Sequence, residues 1–309
     1  MFTLLEDSGY LPRIAFNLDK YFKSCSACGK QGLTMAMGFG CNTVGITGCR
    51  IIDSPRERLI AVLTNNFVPC NGRFPGMIAM VSVMFAGGGL LGGVMQTLVL
   101  TGVILMGIGL TFLTSKLLSK TLLRGEPSSF TLELPPYRRP QIGRVIIRSI
   151  LDRTFFVLGR AAAAAAPAGL ILWILTNTKA GGETLLVHIS GFLDPLGRLL
   201  GMDGTILMAF LLGLPANEIV LPIMLMGYLS QGNLDAASGI TGLTSILRQN
   251  GWTFQTALCT LVFYLMHWPC LTACITIYRE TRSLKWTVTA ILLPTLFGSI
   301  LCILLGVLL

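Results

Sequence analysis

Gly38-Phe39-Gly40-Cys41-Asn42 sets two glycines, a thiol and an amide inside the otherwise apolar run from Leu33 to Cys49. A segment in hydrocarbon must satisfy its own backbone hydrogen bonds, so a Gly-rich interruption is tolerated only against protein or a water-filled cavity. Such an interruption frees carbonyls and helix ends to face a solute near the bilayer midplane. The figure returns at Gly213-Leu214-Pro215-Ala216-Asn217-Glu218, again with Asn four residues after the first Gly. Each copy is followed downstream by a Pro-Cys pair, Pro69-Cys70 and then Pro269-Cys270. Two interrupted segments in corresponding halves of a chain point to a transport site. Glu218 adds a carboxylate, and an ionisable group at membrane depth is functional by default.

The elements that position these groups must be membrane helices. Of 309 residues, 53% are hydrophobic and 12% charged, with mean hydropathy +0.72. Soluble domains carry about a quarter charged residues. The net charge of +9 comes from basic residues placed between apolar runs. That pattern suits a cytoplasmic surface beside anionic lipid and gives no sign of nucleic-acid binding. Most of the nine cysteines lie in apolar segments and follow no disulfide framework. Cys49, Cys259, Cys274 and Cys302 read as packing residues, because a free Cys behaves as a small hydrophobe. Cys25-Ser-Ala-Cys28 lacks the second pair of a zinc site and reads as a solvent-side loop with unpaired thiols. No cleavable signal is evident, since Met1 leads straight into a mixed stretch.

In chain order, residues 1–32 read as an amphipathic interfacial helix and loop, followed by the broken segment 33–49. Pro55 marks a helix start. Residues 59–86 are apolar but interrupted from Asn65 to Pro75, with an arginine, Arg73, that costs about 2.5–3.5 kcal/mol at membrane depth. A plainer span runs from Gly89 to Leu118, a polar loop follows over 119–141, and 142–160 read as a basic amphipathic helix. A span runs from Ala161 to about Thr176, with a kink at Pro167. Residues 177–203 read as a loop, 204–229 as a broken segment, and 230–252 as a loop with a short amphipathic piece. Spans over 253–277 and 286–309 complete the chain. The domains are then a first half over 1–118, a cytoplasmic loop and interfacial helix over 119–160, and a second half over 161–309.

Residues 116–153 hold eight Lys/Arg against three acids, whereas 177–203 hold two against three. The positive-inside rule makes the first cytoplasmic and the second external. Arg279, Arg282 and Lys285 also belong in the cytoplasm, which requires 204–229 to re-enter rather than cross.

These residues resemble the ferrous iron transport protein B family, FeoB. The likeness runs through Leu5 to Tyr10, Gly38 to Asn42, Arg56 to Leu59, Pro69-Cys70 with Arg73, and Arg124 to Glu126. It continues through Glu133 to Tyr137, Pro195 to Gly197, Ala216 to Glu218, Pro269-Cys270 and Arg279 to Thr281. It covers nearly the whole chain in the family's order. The resemblance implies an all-α, polytopic integral membrane protein, a helical bundle of two gate-type repeats with interrupted or re-entrant helices.

The resemblance also implies import of Fe²⁺, as transported substrate, across the plasma membrane (the bacterial inner membrane), with iron passing between the two broken helices. The family's membrane cysteines match Cys41 and Cys270. Fe²⁺ accepts thiolate, imidazole and carboxylate ligands, so the candidate set is Cys41, Cys70 and Cys270, His267, Glu218, and the amides of Asn42 and Asn217. Glu218 has a second reading as a structural partner of Arg73. Expected partners are the lipid bilayer, a separate GTP-binding domain, small accessory iron-transport proteins and further copies of the chain. No Gly-x-x-x-x-Gly-Lys-Ser/Thr motif is present, so no nucleotide is expected on the chain and no enzymatic activity. Three features depart from the family. The GTP-binding domain and first membrane helices are not seen, Asn217 stands where Lys is usual, and His267-Trp268 replace an aromatic-rich pair. The alternatives are a gate-type carrier for another divalent metal or a nucleoside, and a non-transporting assembly subunit.

Overall fold

The computed structural model describes residues 10–25, 27–85, 89–125, 143, 156–180, 183–230 and 240–308. Apart from one short hairpin, the regular structure there is helical. The chain divides into two compact units that interleave in sequence. Unit 1 comprises Met1–Cys70, Ile108–Ala163 and Thr272–Ala290; unit 2 comprises Asn71–Gly107, Ala164–Leu271 and Ile291–Leu309.

The N-terminal part begins with α1 (Tyr10–Ser24), α2 (Lys30–Gly40), α3 (Asn42–Gly48) and α4 (Pro55–Thr64). Ser54 caps α4 by accepting from the Glu57 amide, with Pro55 in the first turn where its missing N–H costs nothing. Helix α4 ends in a 3-10 turn over Asn65–Phe67. The core of unit 1 gathers Phe22, Ala27, Met35 and Val68, with Leu18, Phe39, Ile108 and Phe112 packed on it. Cys25 and Cys28 are buried there rather than facing solvent, because the loop after α1 folds back onto the helix. The Ala27 amide donates to the Phe22 carbonyl, and the Gly29 amide to Asp19 Oδ1.

Helices α5 (Phe74–Met84) and α6 (Gly89–Lys120) follow, and then α7 (Phe156–Asn177), which begins five residues before the expected span and holds Pro167 inside it. The basic helix expected over 142–160 lies largely outside the described residues. The loop expected over 177–203 is a correction. A hairpin of β1 (Lys179–Ala180) and β2 (Glu183–Thr184) leads into α8 (Leu185–Leu199). Gly191, Pro195 and three charged or titratable residues disguise α8 as a loop, but it is amphipathic and buries Leu186, Ser190 and Gly197.

Helix α9 (Gly204–Leu212), capped by Asp203, turns 109° from α8. Gly204 permits this bend, since a β-carbon there would stand 1.9 Å from the Ser190 carbonyl oxygen. After a break come α10 (Val220–Ser230), α11 (Ile240–Gln249), α12 (Phe254–Met266), α13 (Leu271–Thr281) and α14 (Leu284–Leu308). The stretch 253–277, expected as a plain span, is interrupted at His267–Cys270.

Among the described residues, Leu91–Lys120, Phe254–Thr281 and Leu284–Leu308 are long and apolar enough to cross a membrane, and the α8–α9 pair is a fourth candidate as a bent span or re-entrant loop. Exposed Leu91, Leu98 and Leu105 on α6 and Leu292, Leu296 and Ile300 on α14 form apolar surfaces of the kind lipid covers.

Candidate functional site

In unit 1 the expected break falls at one residue. Cys41 is extended (φ −158°, ψ 123°) between α2 and α3, and its amide still reaches the Met37 carbonyl at 3.0 Å. Its thiol is half-buried, whereas the Asn42 side chain points inward and is buried. Asn42 Nδ2 donates to Asn66 Oδ1 at 2.9 Å, and Asn65 Nδ2 donates to the Asn42 carbonyl at 3.2 Å. The 3-10 turn after α4 thus fastens the break. Gly45 is required for the fit, because a β-carbon there would stand 2.6 Å from Asn65 Oδ1. Cys70 is buried three residues after that 3-10 turn.

In unit 2 two breaks meet. The first is the turn at Gly213–Ala216 followed by a 3-10 turn over Asn217–Ile219; the second is His267–Cys270 between α12 and α13. The Leu271 amide donates to the Leu214 carbonyl at 2.8 Å, joining the residue after Cys270 to the first break. The Tyr264 hydroxyl donates to the Asn217 carbonyl at 2.9 Å. His267 Nδ1 lies 2.8 Å from the Tyr264 carbonyl, and Nε2 lies 3.3 Å from Asn217 Oδ1. A carbonyl only accepts, so Nδ1 carries the proton toward Tyr264. Phe210 supports this group from behind, 5.0 Å from both Phe263 and His267 between ring centroids.

Arg73 is fully buried in unit 2 and forks across the second break. Nη1 donates to the Leu265 carbonyl at 2.6 Å, and Nη2 to the carbonyls of His267 at 2.9 Å and Trp268 at 3.2 Å. These acceptors lie at the C-terminal end of α12, where a cation also meets the negative end of the helix dipole. Among the described residues Glu218 makes no ion pair, so the reading of Glu218 as the structural partner of Arg73 gives way to this carbonyl clamp. Glu218 is instead exposed and lies over Gly72, where a β-carbon would stand 3.1 Å from Oε1.

Of the residues singled out from sequence, Asn217, His267 and Cys270 are brought to one place within unit 2, with Glu218 next to Asn217. Cys41 and Asn42 occupy the break in unit 1, with Cys70 elsewhere in that unit. Among the described residues no three His, Cys, Asp or Glu side chains are grouped to hold a metal ion. Sequence reasoning passed over Tyr264 and Gly76, which fit together: a β-carbon at Gly76 would lie 2.3 Å from the Tyr264 hydroxyl. A tyrosine in an apolar run beside an interrupted segment was the available signal, because a buried phenol must find a partner.

A family model described as Gate, nucleoside recognition, matches residues 1–84 and 158–284, and one described as the ferrous iron transport protein B C terminus matches residues 100–152. The chain belongs to the FeoB family, in its membrane region. It is 30% identical over 311 residues to the Fe(2+) transporter FeoB of Staphylococcus aureus, covering 97% of this chain and 44% of that protein. It is 25% identical to the Fe(2+) transporter FeoB of Methanocaldococcus jannaschii, covering 99% of this chain and 45% of the relative. A Porphyromonas gingivalis Fe(2+) transport protein A/Fe(2+) transporter FeoB fusion protein is 26% identical, covering 94% and 39%. The chain therefore spans less than half the length of these FeoB relatives. No solved structure matches it. The apolar helices and this membership make it a multi-pass membrane protein.

Proposed function

We propose that this chain is the Fe²⁺-conducting membrane part of an iron importer of the plasma membrane, with gate-type halves over 1–118 and 161–309 joined by a cytoplasmic segment over 119–160. The observation that carries this reading is the thiol attached to each interrupted region, Cys41 in unit 1 and Cys270 in unit 2, in a chain similar to Fe(2+) transporters. Fe²⁺ is a borderline cation that takes sulfur and carboxylate, and Glu218 is an exposed carboxylate beside the break at Gly213–Ala216. The half-buried thiols suit a solute that must leave again, since conduction requires weak, multiple sites. Cys70 adds a further thiol, and Asn217 adds an amide. His267 acts mainly by positioning, because both of its ring nitrogens face partners.

Energy input is assigned to a separate GTP-binding domain, and the fusion relative points to a transport protein A-type accessory partner. A nucleoside carrier is the second reading, favoured by the description of the Gate model. Nucleoside recognition has no use for the two thiols, which ranks it lower. The test is Fe²⁺ uptake into proteoliposomes, with and without a supplied GTP-binding domain. Saturable uptake of Fe²⁺ in preference to Mg²⁺ is expected, and uptake of labelled nucleoside but not iron under both conditions would reverse the ranking.

A further inference from the structure

We propose that the break in unit 1 binds a small monovalent metal cation, Na⁺ in the first instance, through the amide oxygens of Asn42 and Asn65. Both side chains are almost completely buried, at 2% and 1% exposure. Each amide is oriented by what its nitrogen does: Asn42 Nδ2 is spent on Asn66 Oδ1 and Asn65 Nδ2 on the Asn42 carbonyl. That orientation leaves Asn42 Oδ1 and Asn65 Oδ1 without a hydrogen-bond partner among the described residues. A buried acceptor left unsatisfied costs about 1–3 kcal/mol, so two in one small network call for a ligand.

The two oxygens share a neighbour. Both lie beside Gly38, where a β-carbon would stand 3.1 Å from Asn65 Oδ1, 3.3 Å from Asn65 Nδ2 and 3.5 Å from Asn42 Oδ1. Gly38 is in the last turn of α2, whose C-terminal end carries partial negative charge. Negative helix ends and unwound carbonyls are the groups with which broken membrane helices hold Na⁺.

The donors decide the class of ion. They are hard oxygens, which suit alkali and alkaline-earth cations better than a borderline metal. They are also neutral. A divalent ion stripped of water loses far more solvation than two amides return, whereas a monovalent ion loses much less. Asn66 Oδ1 is already taken and does not join the set. Asn42 then serves Na⁺ rather than Fe²⁺, and the proposal stands whether or not iron is the transported solute.

The experiment is ²²Na⁺ binding to the purified full chain in lipid nanodiscs, with iron absent and choline maintaining ionic strength. Saturable binding displaced by unlabelled Na⁺ is expected in the wild type. Gly38→Ala places a methyl group against both oxygens and should weaken binding at least tenfold while the protein stays monodisperse. Asn42→Asp adds a charge to the same cradle and should let Ca²⁺ displace ²²Na⁺. Absence of saturable binding in the wild type, which is the result if only water satisfies these oxygens, overturns the proposal. So does wild-type binding in a folded Gly38→Ala protein. If Gly38→Ala does not fold, Asn42→Asp decides: unchanged Na⁺ affinity with no displacement by Ca²⁺ overturns it.

Discussion

Tyr264 donates its hydroxyl hydrogen to the carbonyl of Asn217 at 2.9 Å, while its ring end fills the notch left by Gly76. One side chain thus ties α5, α12 and the interrupted segment at 213–219. Tyr264→Phe keeps the ring and removes this hydrogen bond to the Asn217 carbonyl, so it should cost about 0.5–1.5 kcal/mol. Gly76→Ala drives a methyl group into the phenol end and should cost more. Combined with Tyr264→Ala, Gly76→Ala should be much milder, because residues in contact are not additive. Thermal unfolding of the purified variants measures all three.

Arg73 should not tolerate lysine. A guanidinium forks across carbonyls that a point-charge ammonium cannot reach together, and hydrogen bonds to a charged group contribute about 1.5–3 kcal/mol each. Arg73→Lys is therefore expected to lower the melting temperature markedly and Arg73→Met to abolish folded yield, as read by size-exclusion chromatography. A monodisperse Arg73→Met protein at wild-type yield would refute the clamp.

Glu218 gives the opposite expectation. It is exposed and, among the described residues, in no ion pair, so Glu218→Gln should leave yield and melting within about 0.5 kcal/mol of wild type. Fe²⁺ flux should nevertheless fall if the carboxylate serves the ion. Normal flux in this variant would remove Glu218 from the pathway.

The cysteines separate by environment. Cys41→Ser and Cys270→Ser alter half-buried thiols at breaks and should reduce Fe²⁺ flux by about tenfold or more, the scale seen when a metal's surroundings are disturbed. Cys302 is buried on α14, its thiol 3.4 Å from the Cys259 carbonyl, and Cys302→Ser should leave flux nearly unchanged. Initial rates in proteoliposomes, normalised to reconstituted protein, make the comparison.

A cysteine at position 282 should be labelled from the cytoplasmic side by a membrane-impermeant maleimide in a Cys-reduced background. Arg282 is exposed and has φ 50°, at the turn between α13 and α14. Labelling confined to the external side would reverse the orientation drawn from loop charge.

The breaks at Cys41 and at Gly213–Glu218 were legible because glycine, proline and asparagine interrupt an apolar run in a way hydrocarbon forbids. The break at His267–Cys270 was less so, since it is short and lies between two long apolar runs, with only His267 and Pro269 to signal it. Helix α8 was read as a loop because Gly191, Pro195 and the Asp194–Arg198 pair carry loop-like composition; that pair is an i,i+4 contact, with Arg198 Nε 2.7 Å from Asp194 Oδ2. The pairing of Asn65 with Asn42 was beyond reach, because it joins residues 23 apart through a fold that periodicity does not encode. The same holds for Arg73, whose carbonyl acceptors are nearly two hundred residues away.

Helix α6 carries no charged side chain from Gly89 to Ser115. At 1.5 Å per residue that stretch is about 40 Å long, against a hydrocarbon layer of about 30 Å. The helix must lean or the bilayer must swell around it, each at a fraction of a kcal/mol per ångström. Membrane thickness is therefore a mechanical input to this protein. Longer acyl chains let α6 stand upright and thinner bilayers tip it, so the lipid composition chosen for reconstitution will itself set the resting posture of the molecule.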